Sequence, residues 1–481
     1  MGNWEAVIGL EIHAQILTRT KMFCACDAAY GAPPNSRTCP VCLGHPGTLP
    51  VVNGEAVRQA LKVAYALNCR VRPESRFARK NYFYPDLPKG YQITQFEAPL
   101  AEEGRLGIEA AGRALEVGIL RAHIEEDSGK SLHEGFPDSD RKAYLDFNRA
   151  GVPLIEIVTA PELRSPEEAY AFLRRLKQVL TYLGASSGRM EEGALRCDVN
   201  VSLRAAGSAA MGTRVEVKNL NSFRNVERAL SFEIGRQRDL LDAGQPVVGD
   251  TRLYDAARGA TLSMRAKEGA DDYRYFPEPD LPPLRVTGDM AAEARAALPE
   301  LPGAKKARYM DGWGLSEYDA DILIDRLGLA LYFEEAVATC ADPKAAANWV
   351  TGEVFRVLKD GEGDIGELKA GGRHLGELIA LIRSGAVSSS GAKDVFARMI
   401  ETGNPPGVLL DEMGLAQVSD VEVLGTFVQE VLAANPGPVE DLRSGRARAL
   451  GYLIGQVMKR SGGRANPEVV SRMFRERLGM P

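Results

Sequence analysis

Leu10-Glu-Ile-His-Ala-Gln-Ile16 sets the fold class of the first half of the chain. Leu10, Ile12, Ala14 and Ile16 alternate with Glu11, His13 and Gln15. That is the period of a strand, so Glu11 and His13 share a face. Leu195 to Leu203 repeats the pattern, with Leu195, Cys197, Val199, Val201 and Leu203 on one side and Arg196, Asp198, Asn200 and Ser202 on the other. Arg214, Glu216 and Lys218 then alternate with Val215 and Val217, and the short glycine-containing link between these runs predicts a hairpin. The expectation is an antiparallel sheet with one apolar and one charged face. Such a charged face ordinarily meets water. Here it carries acids and a histidine spaced for metal binding, and its flanking loops hold Gly, Pro, Lys and Tyr, which points to a concave site.

The rest of the chain turns helical past about Met290, in MAAEARAALPEL, EYDADILIDRLGLALYFEEAVATC and PKAAANWVTGEVFRVLKD. Pro277-Glu-Pro-Asp-Leu-Pro-Pro283 marks the change, because proline continues neither helix nor central strand. Thr402-Gly-Asn-Pro-Pro-Gly407 marks a second break. The expected class is α+β: an antiparallel-sheet domain over 1–292, an all-helical middle domain over 293–405 and a small helical tail over 406–481. A length of 481 residues fits about three domains. The composition, 45% hydrophobic and 26% charged, is that of a soluble globular protein. There is no apolar run of ~18 residues, so no membrane span is expected. Met1 to Glu5 lacks the layout of a signal peptide, which leads to a cytoplasmic expectation with reduced thiols. Seven cysteines, an odd number, argue against a disulfide framework. The net charge of −6 argues against a protein that coats nucleic acid. From Asp441 onward, however, nine Arg and Lys face three acids, the local footprint of a nucleic-acid contact.

Cys24-x-Cys26 and, after twelve residues, Cys39-x-x-Cys42 form a four-thiolate pattern suited to a structural zinc. Cys69, Cys197 and Cys340 sit in apolar contexts and read as core. Glu11 and His13 on one strand, Glu125-Glu-Asp127 at the end of another, and Glu156 inside Pro153-Leu-Ile-Glu-Ile-Val158 form a second constellation. A carboxylate among apolar residues needs a partner. Oxygen ligands with one imidazole suit Mg²⁺ or Mn²⁺ at a phosphoryl-transfer site. Glu125 and Glu126 are adjacent and should face opposite ways, so one of them reaches the metal; alternation does not say which. Gly129-Lys130-Ser131 resembles the end of a P-loop, but the required earlier glycine is Ile124. If ATP is used, it is held another way. Gly184 to Gly188 reads as the turn after a helix from Pro166 to Leu183. Arg79 to Tyr91 and Asp271 to Phe276 mix cations with aromatics, which can stack bases and pair phosphates. Lys130 and Arg274 are the candidate nucleotide contacts.

Val7 to His13, the Cys24 to Cys42 pattern, Arg79 to Ile93, His123 to Ser131, Asn148 to Thr159, Met190 to Ser202, Glu216 to Leu230 and Asp271 to Pro283, in this order, resemble the B-subunit family of the tRNA-dependent glutamyl/aspartyl amidotransferases. Ala449 to Val470 is similar to that family's helical tail. The resemblance covers nearly the whole chain. It implies a ligase that uses ATP to phosphorylate the side-chain carboxylate of Glu-tRNA(Gln) or Asp-tRNA(Asn). Ammonia from a glutaminase A subunit then displaces the phosphate, and a small C subunit clamps the pair. It implies a cradle domain resembling glutamine synthetase. Carried over by motif, Mg²⁺ would be held by His13, Glu126 and Glu156, with Glu11 near a second ion. Lys80 and Lys89 resemble residues near the inner end of an ammonia tunnel and, with Glu126, are the catalytic candidates. Two departures stand out: an apparent insertion at 137–143, and Val199 where the family often has Ala. The competing expectation is a zinc-stabilised tRNA-binding subunit without chemistry of its own. An archaeal paralogue with an inserted synthetase-like domain would need a longer chain.

Overall fold

Twelve residues from Trp4 to Gln15 form β1, the middle of a nine-stranded sheet. The other strands are β2 (Arg70–Val71), β3 (Ala101–Ala110), β4 (Arg113–Glu126), β5 (Pro153–Thr159), β6 (Leu195–Ala205), β7 (Val215–Lys218), β8 (Asp250–Asp255) and β9 (Ala260–Ala266). Their order is β9-β8-β7-β6-β1-β5-β4-β3-β2. This computed structural model describes residues 2–132, 135–139, 141–266, 270–358, 363–417, 421–444, 446, 448–462 and 464–479. Position 140 of the expected 137–143 insertion and the side chain of Asp271 lie outside the described residues.

Pairing is antiparallel except between β7 and β8. That exception follows from the chain between them. Helix α3 (Phe223–Asp242) intervenes, and a long crossover can return the chain in the same direction. The expected hairpin is present as β6 and β7, with Val199 opposite Val217 and Val201 opposite Val215.

One face of the sheet carries α1 (Gly54–Ala66), α2 (Pro166–Tyr182) and α3. In α2 the buried Ala169, Phe172, Leu173, Leu176, Val179 and Leu180 recur at helical spacing, the stripe that packs on a sheet. Asn53, Ser165 and Ser222 cap the three helices by accepting from backbone N–H groups of the first turn. Ile8, Leu10, Ile12 and Ala14 of β1 are at most 1% exposed in this core, so the alternation read from the sequence decides which side is dry. The opposite face, with Glu11 and His13, lines a cleft.

The chain divides into two compact units, 1–302 and 303–481. The second is helical and holds two separate apolar cores. The first runs from Tyr309 to Leu410 and includes Leu409 and Leu410 of the helix Pro406–Glu412. The other begins at Leu424 and ends at Phe474. No helix among the described residues is long and apolar enough to cross a membrane.

Candidate active site and thiolate cluster

His123 of β4, Glu156 of β5, His13 of β1 and Arg196 of β6 lie directly opposite one another in register, a row across four strands. Glu125 stands two residues along from His123, on the same face. Nε2 of His13 is 3.2 Å from Glu156 and 3.5 Å from Glu125. Nε2 of His123 is 3.4 Å from Glu156 and 3.7 Å from Glu125. Thr94 donates to Glu125 at 3.0 Å. The side chain of Glu125 is 3% exposed, against 21% for His13, so the cluster opens to the cleft on the His13 side.

Burial disfavours charged imidazoles, but Glu156 and Glu125 outweigh it. The pKa of His13 is raised, and that of His123 is pushed up to about 9. Burial pushes both carboxylic acids up, yet the facing imidazoles override it. Glu156 lies well below the usual carboxylate range and Glu125 also falls. The two buried carboxylates and the two imidazoles thus favour each other's charged forms. One ligand atom each from His13, Glu125 and Glu156 lies within 4.8 Å of the others, a spread that one divalent cation can bridge.

The cleft holds about 550 Å³. Arg121 approaches Glu156 at 3.9 Å. Arg196 donates to Asp127 at 2.8 Å, and Asp127 also accepts from Gln15 at 2.9 Å. Glu11 lines the cleft and accepts from Asn200 at 2.9 Å; Asp198, opposite it in register, pairs with Lys218 at 2.5 Å. Lys80 lies over the ring of Tyr273 at 4.7 Å, and Phe96 stacks on Tyr275 with centroids 4.0 Å apart.

Glu126 faces the other way. Its carboxylate accepts from Lys89 and from the backbone N–H of Ile93 at 2.9 Å. Lys89 and Glu126 line a separate cavity of about 220 Å³ together with Cys24, Cys42 and Gly44. The sulfurs of Cys24, Cys26, Cys39 and Cys42 lie within 4.8 Å of one another and form no disulfide. Four thiolates around one zinc stand about 3.8 Å apart, so the set fits a closed tetrahedral site. The hydrogen bond from Cys24 holds the Cys42 thiol down to about 4 against burial, helped by the N–H of Cys39 and the ammonium of Lys21. Lys21 is fully buried, with Nζ 3.6 Å from Cys42 Sγ and 3.3 Å from the Phe147 carbonyl. Cys69, Cys197 and Cys340 are buried, as expected of core residues.

Residues 6–292 match the GatB/GatE catalytic domain family, and residues 331–478 match the GatB domain family. The B subunit of the aspartyl/glutamyl-tRNA(Asn/Gln) amidotransferase of Carboxydothermus hydrogenoformans is 48% identical over 478 residues, 99% of each chain. The protein of the same name from Geobacter sulfurreducens is 49% identical over 476 residues, again 99% of each. That from Thermosynechococcus vestitus is 48% identical, covering 99% of this chain and 97% of its own. The chain belongs to the amidotransferase B-subunit family.

The ligand set carried over from the B-subunit motifs was His13, Glu126 and Glu156. The structure brings His13 and Glu156 together and places Glu125, not Glu126, between them. The reason is the strand's own alternation. Glu126 shares the face of Ile124 and so points to Lys89. Lys80 lines the cleft, whereas Lys89 lines the thiolate-side cavity. Lys130 lines a third cavity. Arg274 is exposed and does not line the cleft, although Tyr273 and Tyr275 on either side of it do. Glu11 is in the cleft but outside the three-ligand group. His123 escaped sequence reasoning as a site residue, while Asp127 and Arg196 entered it only as part of the acidic constellation and the charged face, without a role of their own. His123 shares the alternation of Glu125, a signal that was available; the reach of Arg196 to Asp127 needed the strand order.

Proposed function

We propose that the cleft is a kinase and transamidase site acting on Glu-tRNA(Gln) or Asp-tRNA(Asn), in a cradle that resembles glutamine synthetase. The observation that carries this is the convergence of His13, Glu125 and Glu156 on the polar face of the sheet. These three would hold Mg²⁺, which when bound offsets charge on transferring phosphate oxygens. His123 behind them backs both carboxylates and keeps them ionised. Arg121, Arg196 and Lys80 supply the positive lining that a carboxylate and a triphosphate need when they approach each other. The side-chain carboxylate attacks the terminal phosphorus of ATP and ADP leaves. Ammonia then attacks the acyl carbon, phosphate leaves with its electron pair, and the excess proton passes to solvent. Lys130 and Arg274 are proposed to contact nucleotide. Glu11, beside Asp198, is proposed to lie near a second ion. Lys89 and Glu126 belong to the path by which ammonia from a glutaminase A subunit enters, and a small C subunit completes a cytoplasmic heterotrimer. The division into 1–292, 293–405 and 406–481 is proposed as the functional one, although Leu409 and Leu410 of the third segment pack into the middle core.

Single turnover without ammonia tests the reading. Radiolabelled ATP with Glu-tRNA(Gln) should give a phosphorylated aminoacyl-tRNA and ADP, and ATP should be spared without the tRNA. Binding of the tRNA with no phosphorylated product would leave a tRNA-binding subunit without chemistry.

The thiolate cluster is proposed to hold one structural zinc. Reduced, purified protein should contain zinc near one equivalent by elemental analysis; its absence would refute the assignment. Lys21 is the ammonium nearest Cys42 and has no carboxylate partner among the described residues. Lys21→Met should therefore release zinc to a chelator about tenfold faster, the scale on which outer partners act.

The tail is proposed to bind tRNA away from its acceptor end. Arg472 and Arg475 are exposed on the helix Pro467–Leu478, and Lys459 on Arg448–Arg460. Because the tail's core starts at Leu424, a chain ending at residue 417 keeps the middle helices intact. It should bind misacylated tRNA more weakly and with a flatter salt dependence. Unchanged binding and slope would give the tail another role.

A further inference from the structure

A cavity of about 220 Å³, separate from the metal-ligand cluster, is lined among others by Gln15, Tyr30, Lys130, Asp146, Arg149 and Glu192, the last paired with Arg189 at 2.8 Å. Asp127 lies between it and the cleft. One oxygen of Asp127 takes the cleft residue Arg196, and the other takes Gln15 from the cavity side, with Arg149 at 3.6 Å. Most polar groups around this cavity are spoken for. Arg149 donates to the carbonyls of Ser128 and Gly129. Asp146 accepts from the N–H groups of Asn35 and Asn148. Asn148 bonds Arg37 and Pro33.

Lys130 is different. It is half-buried, no carboxylate among the described residues pairs with it, and its Nζ sits 4.8 Å from the ring centroid of Tyr30. A partly desolvated ammonium that no carboxylate contacts directly has room for a ligand anion as its partner. Burial and then the Arg149 guanidinium lower its pKa, against the weaker pull of Asp146, Asp127 and Glu192. Tyr30 is 63% exposed yet well positioned. It lies in the loop between Cys26 and Cys39. Asn35 pins that loop by donating to the Leu145 carbonyl and accepting from the Phe147 N–H. Lys130 covers one face of the Tyr30 ring, and an exposed ring with a cation against it is a pairing that can take a base and its phosphate together.

We infer that this cavity binds a nucleoside phosphate, with the base on Tyr30 and the phosphate on Lys130. The inference rests on the reading of this chain as an ATP- and tRNA-using enzyme. Two sources offer the chemistry: ATP, and the terminal nucleotide of the misacylated tRNA. It also gives the thiolate loop a task, since that loop presents Tyr30.

The test uses the chain assembled with its partner subunits. KM for ATP and KM for misacylated tRNA are measured separately for Tyr30→Ala, Lys130→Ala, Tyr30→Phe and Lys130→Arg. The alanine variants should each raise one KM about tenfold, the scale of a lost base stack, with the loss falling on KM rather than kcat. Tyr30→Phe keeps the ring and Lys130→Arg keeps the charge, so those variants should recover most of it. A rise in the ATP constant identifies ATP as the occupant, and a rise in the tRNA constant identifies the terminal nucleotide. If neither constant moves, if only kcat falls, or if the conservative variants are as impaired as alanine, the inference is overturned. An active parent enzyme with unmoved constants defeats this inference alone; a parent that phosphorylates nothing defeats the functional reading beneath it.

Discussion

Glu125→Gln should lower tRNA-dependent ADP formation about a hundredfold or more in the assembled enzyme, while Glu126→Gln should retain phosphorylation. The amide keeps the shape of the carboxylate and removes its charge. At position 125 that charge faces His13 and His123 and lies in the three-ligand group. Loss of one fixed electrostatic contact at a reacting phosphoryl or acyl group commonly costs ~10²–10³ in rate. At position 126 the carboxylate instead meets Lys89 and the Ile93 N–H. Its loss should appear in amide formation from glutamine, with phosphorylated aminoacyl-tRNA still made. The measurement is single-turnover phosphorylation of both variants beside amide yield. If Glu126→Gln abolished phosphorylation and Glu125→Gln did not, the ligand role would return to Glu126.

The second large effect is on stability. Glu233 of α3 is fully buried and joins the helix to the sheet edge. Its carboxylate accepts from Arg236 at 2.5 Å, from Gln237 at 3.0 Å and from Thr261 of β9 at 2.8 Å, with Arg252 of β8 at 3.4 Å. Glu233→Ala leaves Arg252, itself only 14% exposed, with Asp250 at 3.2 Å as a remaining carboxylate, but takes the acceptor from Arg236, Gln237 and Thr261 at a fully buried position. Breaking a buried ion pair from one side typically costs about 3–5 kcal/mol. Urea unfolding followed at Trp4 reads this unit, because its indole donates to Asp242 at the end of α3. The midpoint should fall clearly, and Glu233→Gln should fall less because it keeps some of the hydrogen bonds. An unmoved midpoint for Glu233→Ala would show that α3 and the sheet edge do not depend on this network.

Much of the sheet was legible because alternation is local. Ile12 and His13 need only each other to be assigned to opposite faces, and β1, β6 and β7 came out with the expected sides buried. The parallel step from β7 to β8 was not legible, since it depends on where α3 lands. The break at Thr402 to Gly407 reads as a clean boundary in sequence, yet Leu409 and Leu410 pack back into the middle core. Proline marks where a helix must stop but not which core the next one joins. At the site, alternation left Glu125 and Glu126 open, and the motif resemblance leaned to Glu126. The register of β4 against β5, with Leu154 opposite Glu125, puts Glu125 on the His13 side. Lys130 was visible only through a failed P-loop pattern; its cavity needed the Asn35 and Asp146 contacts, more than a hundred residues apart in sequence.

The place of β1 in the middle of the sheet sets a timetable for biosynthesis. Trp4–Gln15 leaves the ribosome well before its two neighbours, Pro153–Thr159 and Leu195–Ala205. At the usual ~5–20 residues per second, the nascent chain spends roughly seven to thirty seconds with this strand unpaired on both edges, and roughly ten to forty before both neighbours exist. Chains released before residue 205 never complete that pairing. Premature termination products of this protein are therefore expected to aggregate and to engage chaperones, whereas products that end beyond Pro302 carry the whole first unit.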